Sequence, residues 1–124
     1  MDRTRSSSSS YLMNMVRNLR PSAQAVVRGS ADYPSLNGLV TFYEQGGGML
    51  VAAEFRGLPG TDGCGSRVFG FHIHEGSSCT GTAQEPFANA GGHYNPNGCP
   101  HPQHAGDMPP LFGNNGSAWQ AFST

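Results

Sequence analysis

Short runs of alternating hydrophobic and polar residues, separated by glycine, fill the chain from Gln24 onward. Gln24 to Gly29, Leu39 to Glu44 and Met49 to Arg56 each read as a strand. Residues 33–38 connect the first two, and Gly46-Gly47-Gly48 turns the second into the third, which ends at Gly57-Leu58-Pro59-Gly60. In Val68 to His74, Phe69, Phe71 and Ile73 alternate against Gly70, His72 and His74, the period of a half-buried strand. This pattern puts the Phe/Ile face in a core and projects both histidines from the other face. A turn at Met108-Pro109-Pro110 precedes one last strand, roughly Ser117 to Phe122, whose Trp119 and Phe122 are expected to plug the core. Such short, glycine-punctuated strands predict an all-β antiparallel sandwich or barrel.

Residues 1–22 follow a different pattern. Arg3 and Arg5 lead into a serine run, Ser6 to Ser10, that reads as disordered or leader-like. Tyr11 to Arg20 places Leu12, Met15, Val16 and Leu19 at helical spacing, and Pro21 ends the run. The division expected is therefore an N-terminal extension, 1–22, and one domain, 23–124. The extension lacks the continuous apolar run of a signal peptide, and nothing approaches transmembrane length. The expectation is a cytoplasmic protein that does not enter a membrane, with a secreted or periplasmic one kept open if the start lies elsewhere.

The chemistry lies in the histidines. All five fall within the 33 residues from His72 to His104. Imidazole is the commonest borderline metal ligand, so the clustering predicts a metal site. His72 and His74 share a strand face and are placed as adjacent ligands at little ordering cost. The stretch from Gly76 to Pro110 is rich in Gly, Pro and Asn, which disfavours helix and strand alike. A structureless loop of that length normally implies function or disorder. Within it His93, His101, His104 and Asp107, spaced by 8, 3 and 3, offer three nitrogens and one oxygen. That set suits a closed zinc site able to order the loop. Cys99, two residues before His101, is the alternative soft ligand.

Phe71-His72-Ile73-His74-Glu75, Gly92-His93-Tyr94-Asn95-Pro96 and His104-Ala105-Gly106-Asp107 together resemble the metal-binding segments of the Cu/Zn superoxide dismutases. Ala53 to Leu58 and Asn115-Gly116 extend the similarity, which runs from about Ala23 to the last residue. The resemblance implies a Greek-key antiparallel β-barrel with a long zinc loop. It implies copper on His72, His74 and His93, and zinc on His93, His101, His104 and Asp107. His93 would bridge the metals and act catalytically, passing a proton to the nascent peroxide as superoxide is dismuted to oxygen and hydrogen peroxide. Cys79 is similar to the loop cysteine that the family ties to its final strand, while Cys64 and Cys99 are left to bond each other or stay free. A homodimer is consistent with the family.

The departures are equally specific. Seventeen residues follow Asp107, with no histidine beyond His104 and no arginine beyond Arg67. The family's later strands, fourth copper histidine, copper-side arginine and final cysteine have no counterpart here. The chain reads as the front portion of a dismutase domain, C-terminally truncated, with impaired activity. The alternative is a non-catalytic module that binds zinc and, weakly, copper. Net charge is −1, but all seven basic residues are arginines within 1–67, leaving Glu75, Glu85 and Asp107 unbalanced beyond. No basic patch overlaps the aromatic or loop segments, which argues against nucleic acid. Superoxide, an anion, would find little positive potential to draw it in.

Overall fold

The computed structural model describes residues 19–60 and 66–124. The serine run, most of the helix expected over Tyr11 to Arg20, and Cys64 lie outside them. Among the described residues six strands form two antiparallel sheets: β1 (Ala23–Arg28), β2 (Asn37–Gln45), β3 (Gly48–Arg56), β4 (Ser66–Phe69), β5 (Leu111–Asn114) and β6 (Ala118–Ser123). One sheet has the order β1-β2-β3-β6, and β4 pairs β5 in the other. The fold is all-β and antiparallel, as the alternation predicts.

Two hairpins set the register. Gln45 pairs Gly48 across Gly46 and Gly47, whose φ values of 48° and 88° are those of a two-residue turn that matches strand twist. Asn115 (φ 51°) and Gly116 (φ 80°) make the same kind of turn. It is closed by hydrogen bonds both ways between Asn114 and Ser117, at 2.7 and 3.0 Å. This second hairpin carries the chain from the small sheet to the large one. Beside it, the Leu58 N–H donates to the Gly116 carbonyl at 3.0 Å, anchoring the end of β3.

The core lies between the sheets: Val40 on β2, Val51, Ala53 and Phe55 on β3, then Leu58, Phe71, Leu111 and Ala118. Each fully buried Val, Leu or Phe contributes about 1.5–3 kcal/mol. Phe55 and Phe71 meet edge to face, with ring centroids 5.7 Å apart and planes at 86°. An aromatic pair of this kind adds about 0.5–1.5 kcal/mol. Its position matters more here, because Phe71 is the neighbour of His72 and pins the metal-ligand segment to the large sheet.

Three expectations fail at this level. Leu111–Asn114 is a strand that the sequence reading passed over, because Pro109 and Pro110 precede it and Gly113 interrupts its alternation. Trp119 does not plug the core; it is 55% exposed. The register explains why: Ala118 pairs Phe55 and Phe122 pairs Val51 on the inner face, so Trp119, an odd number of residues from both, must face outward. Phe122 does pack on the core. The strand expected over Val68 to His74 stops at Phe69.

Candidate metal centre

β4 ends at Phe69 because its partner changes, not because the chain bends away. Phe69 pairs Leu111, but beyond it the same edge is taken over by the long loop. The Met108 N–H donates to Phe71 at 3.1 Å and the Ile73 N–H to Gly106 at 2.9 Å. Past Ile73 a second stretch takes over: Tyr94 donates to Ile73 at 2.7 Å and Glu75 to Gly92 at 2.9 Å. The extended backbone therefore survives to Glu75, with isolated bridges between His72 and Asp107 and between His74 and His93. Phe71 points into the core, as the alternation implies, whereas Ile73 is 37% exposed beneath the loop rather than buried. Each bridge sets a strand histidine directly opposite a loop ligand.

The loop itself is irregular, with a single 3-10 turn at Ala88–Ala90. Within it His93, His101, His104 and Asp107 each bring one ligand atom to within 4.8 Å of all the others. Asp107 is the hub, its side chain only 9% exposed. Its Oδ1 lies 2.8 Å from His93 Nδ1, and its Oδ2 lies 3.2 Å from His104 Nδ1 and 3.8 Å from His101 Nδ1. His104 Nδ1 is 3.4 Å from His93 Nδ1. A tetrahedral ion with bonds near 2.0–2.1 Å would space its ligands by roughly 3.3 Å, the middle of this range. Asp107 Oδ2 also accepts the His104 N–H at 3.0 Å, which fixes the two ligands three residues apart. Oδ1 is buried and no hydrogen bond is aligned to it, although His93 Nδ1 is close. An acceptor left this way is costly unless a cation satisfies it. The residues fit zinc.

Cys99, the alternative ligand, is not in this group. Its backbone is tied instead to Asn95, whose side chain bonds the Cys99 N–H and carbonyl, both at 2.9 Å. Cys79 and Cys99 are free thiols.

His72 and His74 stand beside His93 but outside that group. The His72 ring stacks on His93 at 3.9 Å with planes 16° apart, and His74 meets His93 at 5.2 Å and 85°. The carbonyl of Gly91 accepts a hydrogen bond from His74 Nδ1 at 2.9 Å, leaving Nε2 as the free ring nitrogen. No sequence pattern signals this orienting carbonyl. His93 turns Nδ1 toward Asp107, so its Nε2 is the atom left for the His72 and His74 side. Three imidazoles are suitable copper donors, but a stacked pair does not converge on one point.

Electrostatics follow the packing. Burial pushes the Asp107 carboxyl upward, yet the His104 N–H, the His104 charge and the His93 contact outweigh it and hold the carboxyl below its ordinary value. Asp107 is thus an anion ready to bind a cation. Burial, and then the neighbouring His93, hold His72 below the ordinary imidazole value, against the pull of Asp107. Its neutral, ligating form is the one favoured.

A small antiparallel sandwich with a long loop folded into a three-histidine, one-carboxylate cluster defines a β-domain with a candidate metal site. A family model for copper/zinc superoxide dismutase (SODC) matches residues 36–124, and the chain belongs to that family. It is 33% identical over 110 residues to the extracellular Cu-Zn superoxide dismutase of Mus musculus, covering 87% of this chain and 40% of that protein. The extracellular enzymes of Rattus norvegicus and Oryctolagus cuniculus match at 32% and 31%, each with 41% of its length covered. The chain thus spans about two fifths of these relatives. The family uses copper and zinc, and the cluster described above could hold a metal. These relatives overturn the cytoplasmic expectation, since all three are extracellular enzymes. That expectation rested on a missing apolar run, and such a run can precede any stretch of chain. No helix among the described residues is long and apolar enough to cross a membrane.

Proposed function

We propose that this chain carries the bridged metal centre of its family, with zinc on His93, His101, His104 and Asp107 and copper on His72, His74 and His93. The domain runs from residue 23, residues 1–22 being an extension, and the setting is secreted, as for the extracellular relatives. The observation that carries the reading is the cluster around Asp107, whose donor set and spacing suit zinc. The substrate is superoxide, which the bound copper would oxidise and reduce in alternation, two superoxide anions and two protons giving oxygen and hydrogen peroxide.

The chain's own residues have separable roles. His93 Nδ1 lies 2.8 Å from Asp107 Oδ1, so that nitrogen belongs to the zinc set and Nε2 is left for the copper side. His93 Nε2 can then hold a proton and release it toward the reduced substrate, the work of a general acid. The Gly91 carbonyl orients His74 and leaves one of its nitrogens free to bind metal. Burial and the neighbouring His93 favour the neutral form of His72 at the edge of the cluster.

Three copper nitrogens fall one short of the four-ligand tetragonal arrangement that Cu(II) prefers. Weak copper binding completed by water is therefore expected, and the zinc- and weakly copper-binding module is the second reading. Electron paramagnetic resonance of the copper-loaded chain tests the bridge. The spectrum should change in His93→Ala, and should respond to zinc in the wild type alone. Identical spectra for the two proteins would remove His93 from copper and leave the module.

A further inference from the structure

We propose that a closed ring of three main-chain hydrogen bonds holds the metal ligands in place, and that Gly106 is the positioning residue that permits it. This rests on the ligand assignment above. The Ile73 N–H donates to the Gly106 carbonyl at 2.9 Å, the Gly106 N–H to the Tyr94 carbonyl at 2.8 Å, and the Tyr94 N–H to the Ile73 carbonyl at 2.7 Å. Each of the three residues donates once and accepts once, and the ring closes on itself.

Every member is the sequence neighbour of a ligand. Ile73 lies between His72 and His74, Tyr94 follows His93, and Gly106 precedes Asp107. The ring therefore joins, pair by pair, the three segments that carry the histidine and carboxylate ligands. Three segments joined pairwise cannot swing independently, as three segments joined in a line could. All six groups are backbone N–H and C=O, which must be satisfied once enclosed. Further bonds brace it, from Met108 to Phe71 at 3.1 Å on one side and from Glu75 to Gly92 at 2.9 Å on the other.

The ring is tight enough to select the residue at its centre. Gly106 is buried. A Cβ there would lie 2.4 Å from the Ile73 carbonyl oxygen, 3.0 Å from Tyr94 Cβ and 3.1 Å from the Tyr94 nitrogen. Two of these obstacles are backbone atoms of the ring itself and cannot move without opening it. Gly106 touches no metal; it acts through the placement of His93 and Asp107. Support of this indirect kind commonly governs metal affinity by 10- to 100-fold.

Hydrogen exchange on the full chain reads the ring directly, through its amides and not through the metal. The amides of Ile73, Tyr94 and Gly106 should be protected and should exchange together. Exchange of all three at unprotected rates would overturn the proposal while leaving the ligand assignment untouched. Gly106→Ala should weaken zinc binding about 10- to 100-fold and alter the absorption spectrum of cobalt(II) held in the zinc set. The control is Gly113→Ala, where a Cβ would meet Phe69 at 2.9 Å in the core away from the ring. It should lower thermal stability but keep the zinc affinity and cobalt spectrum of the wild type. Equal zinc loss in both variants, or none in Gly106→Ala, would mean that the ring does not position the site. Should Gly106→Ala fail to fold, the exchange pattern of the wild type still decides.

Discussion

Stripping zinc from this chain should lower its melting temperature by roughly 15–30 °C. Zinc held at a thousandfold over its dissociation constant stabilises the folded state by about 4 kcal/mol, and a domain of this size moves by about 4–8 °C per kcal/mol. The effect is large because the loop depends on it. Apart from one 3-10 turn, the loop from Gly76 to Pro110 has no regular structure, and its conformational entropy must be offset by local contacts. The ligand set supplies those contacts at its end, where an unbridged Asp107 would otherwise be a buried anion with an unsatisfied oxygen. Asp107→Ala should weaken zinc binding about 10- to 100-fold. It should remove about 1.4–2.7 kcal/mol of the zinc-dependent gain. Scanning calorimetry with and without chelator checks both. A melting temperature indifferent to chelator would mean that the cluster is a polar network and not a zinc site.

Much of this was legible in the sequence because two periodicities carry it. Period-two alternation located β1, β2, β3 and β6 to within two residues, and the crowding of five histidines located the site. The cluster of His93, His101, His104 and Asp107 was legible because its four members lie close along one loop, so a few local turns bring them together. What escaped was pairing. The end of β4 at Phe69 depends on which distant residues occupy its edge, and no local pattern encodes that Leu111 gives way to Met108 and Gly106. β5 was hidden by the two prolines before it and by Gly113 within it. Trp119 was misplaced by reading hydrophobicity without counting parity along the strand. The compartment was misread for another reason, an absence having been taken as a signal.

Copper-loaded, this chain should dismute superoxide at least about 100-fold more slowly per bound copper than a full-length relative, the scale of loss that follows from ligands held about 1 Å out of place. Three features lead there. Within these 124 residues every histidine is already assigned, so no fourth imidazole completes copper. His72 stacks on His93 instead of converging with it. Beyond Arg67 the chain carries Glu75, Glu85 and Asp107 and no arginine, so it supplies little positive charge there to draw in an anionic substrate. Turnover must be measured with a chelator control, because free copper dismutes superoxide unaided. A chelator-resistant rate matching the full-length relative would show that another residue or another chain completes the centre.

The central claim is that His93, His101, His104 and Asp107 form one zinc site, and X-ray absorption at the zinc edge tests it most directly. The predicted spectrum fits three imidazole nitrogens and one carboxylate oxygen at about 2.0–2.2 Å, with no sulfur. A sulfur shell near 2.3 Å would contradict the account and hand the site to Cys99.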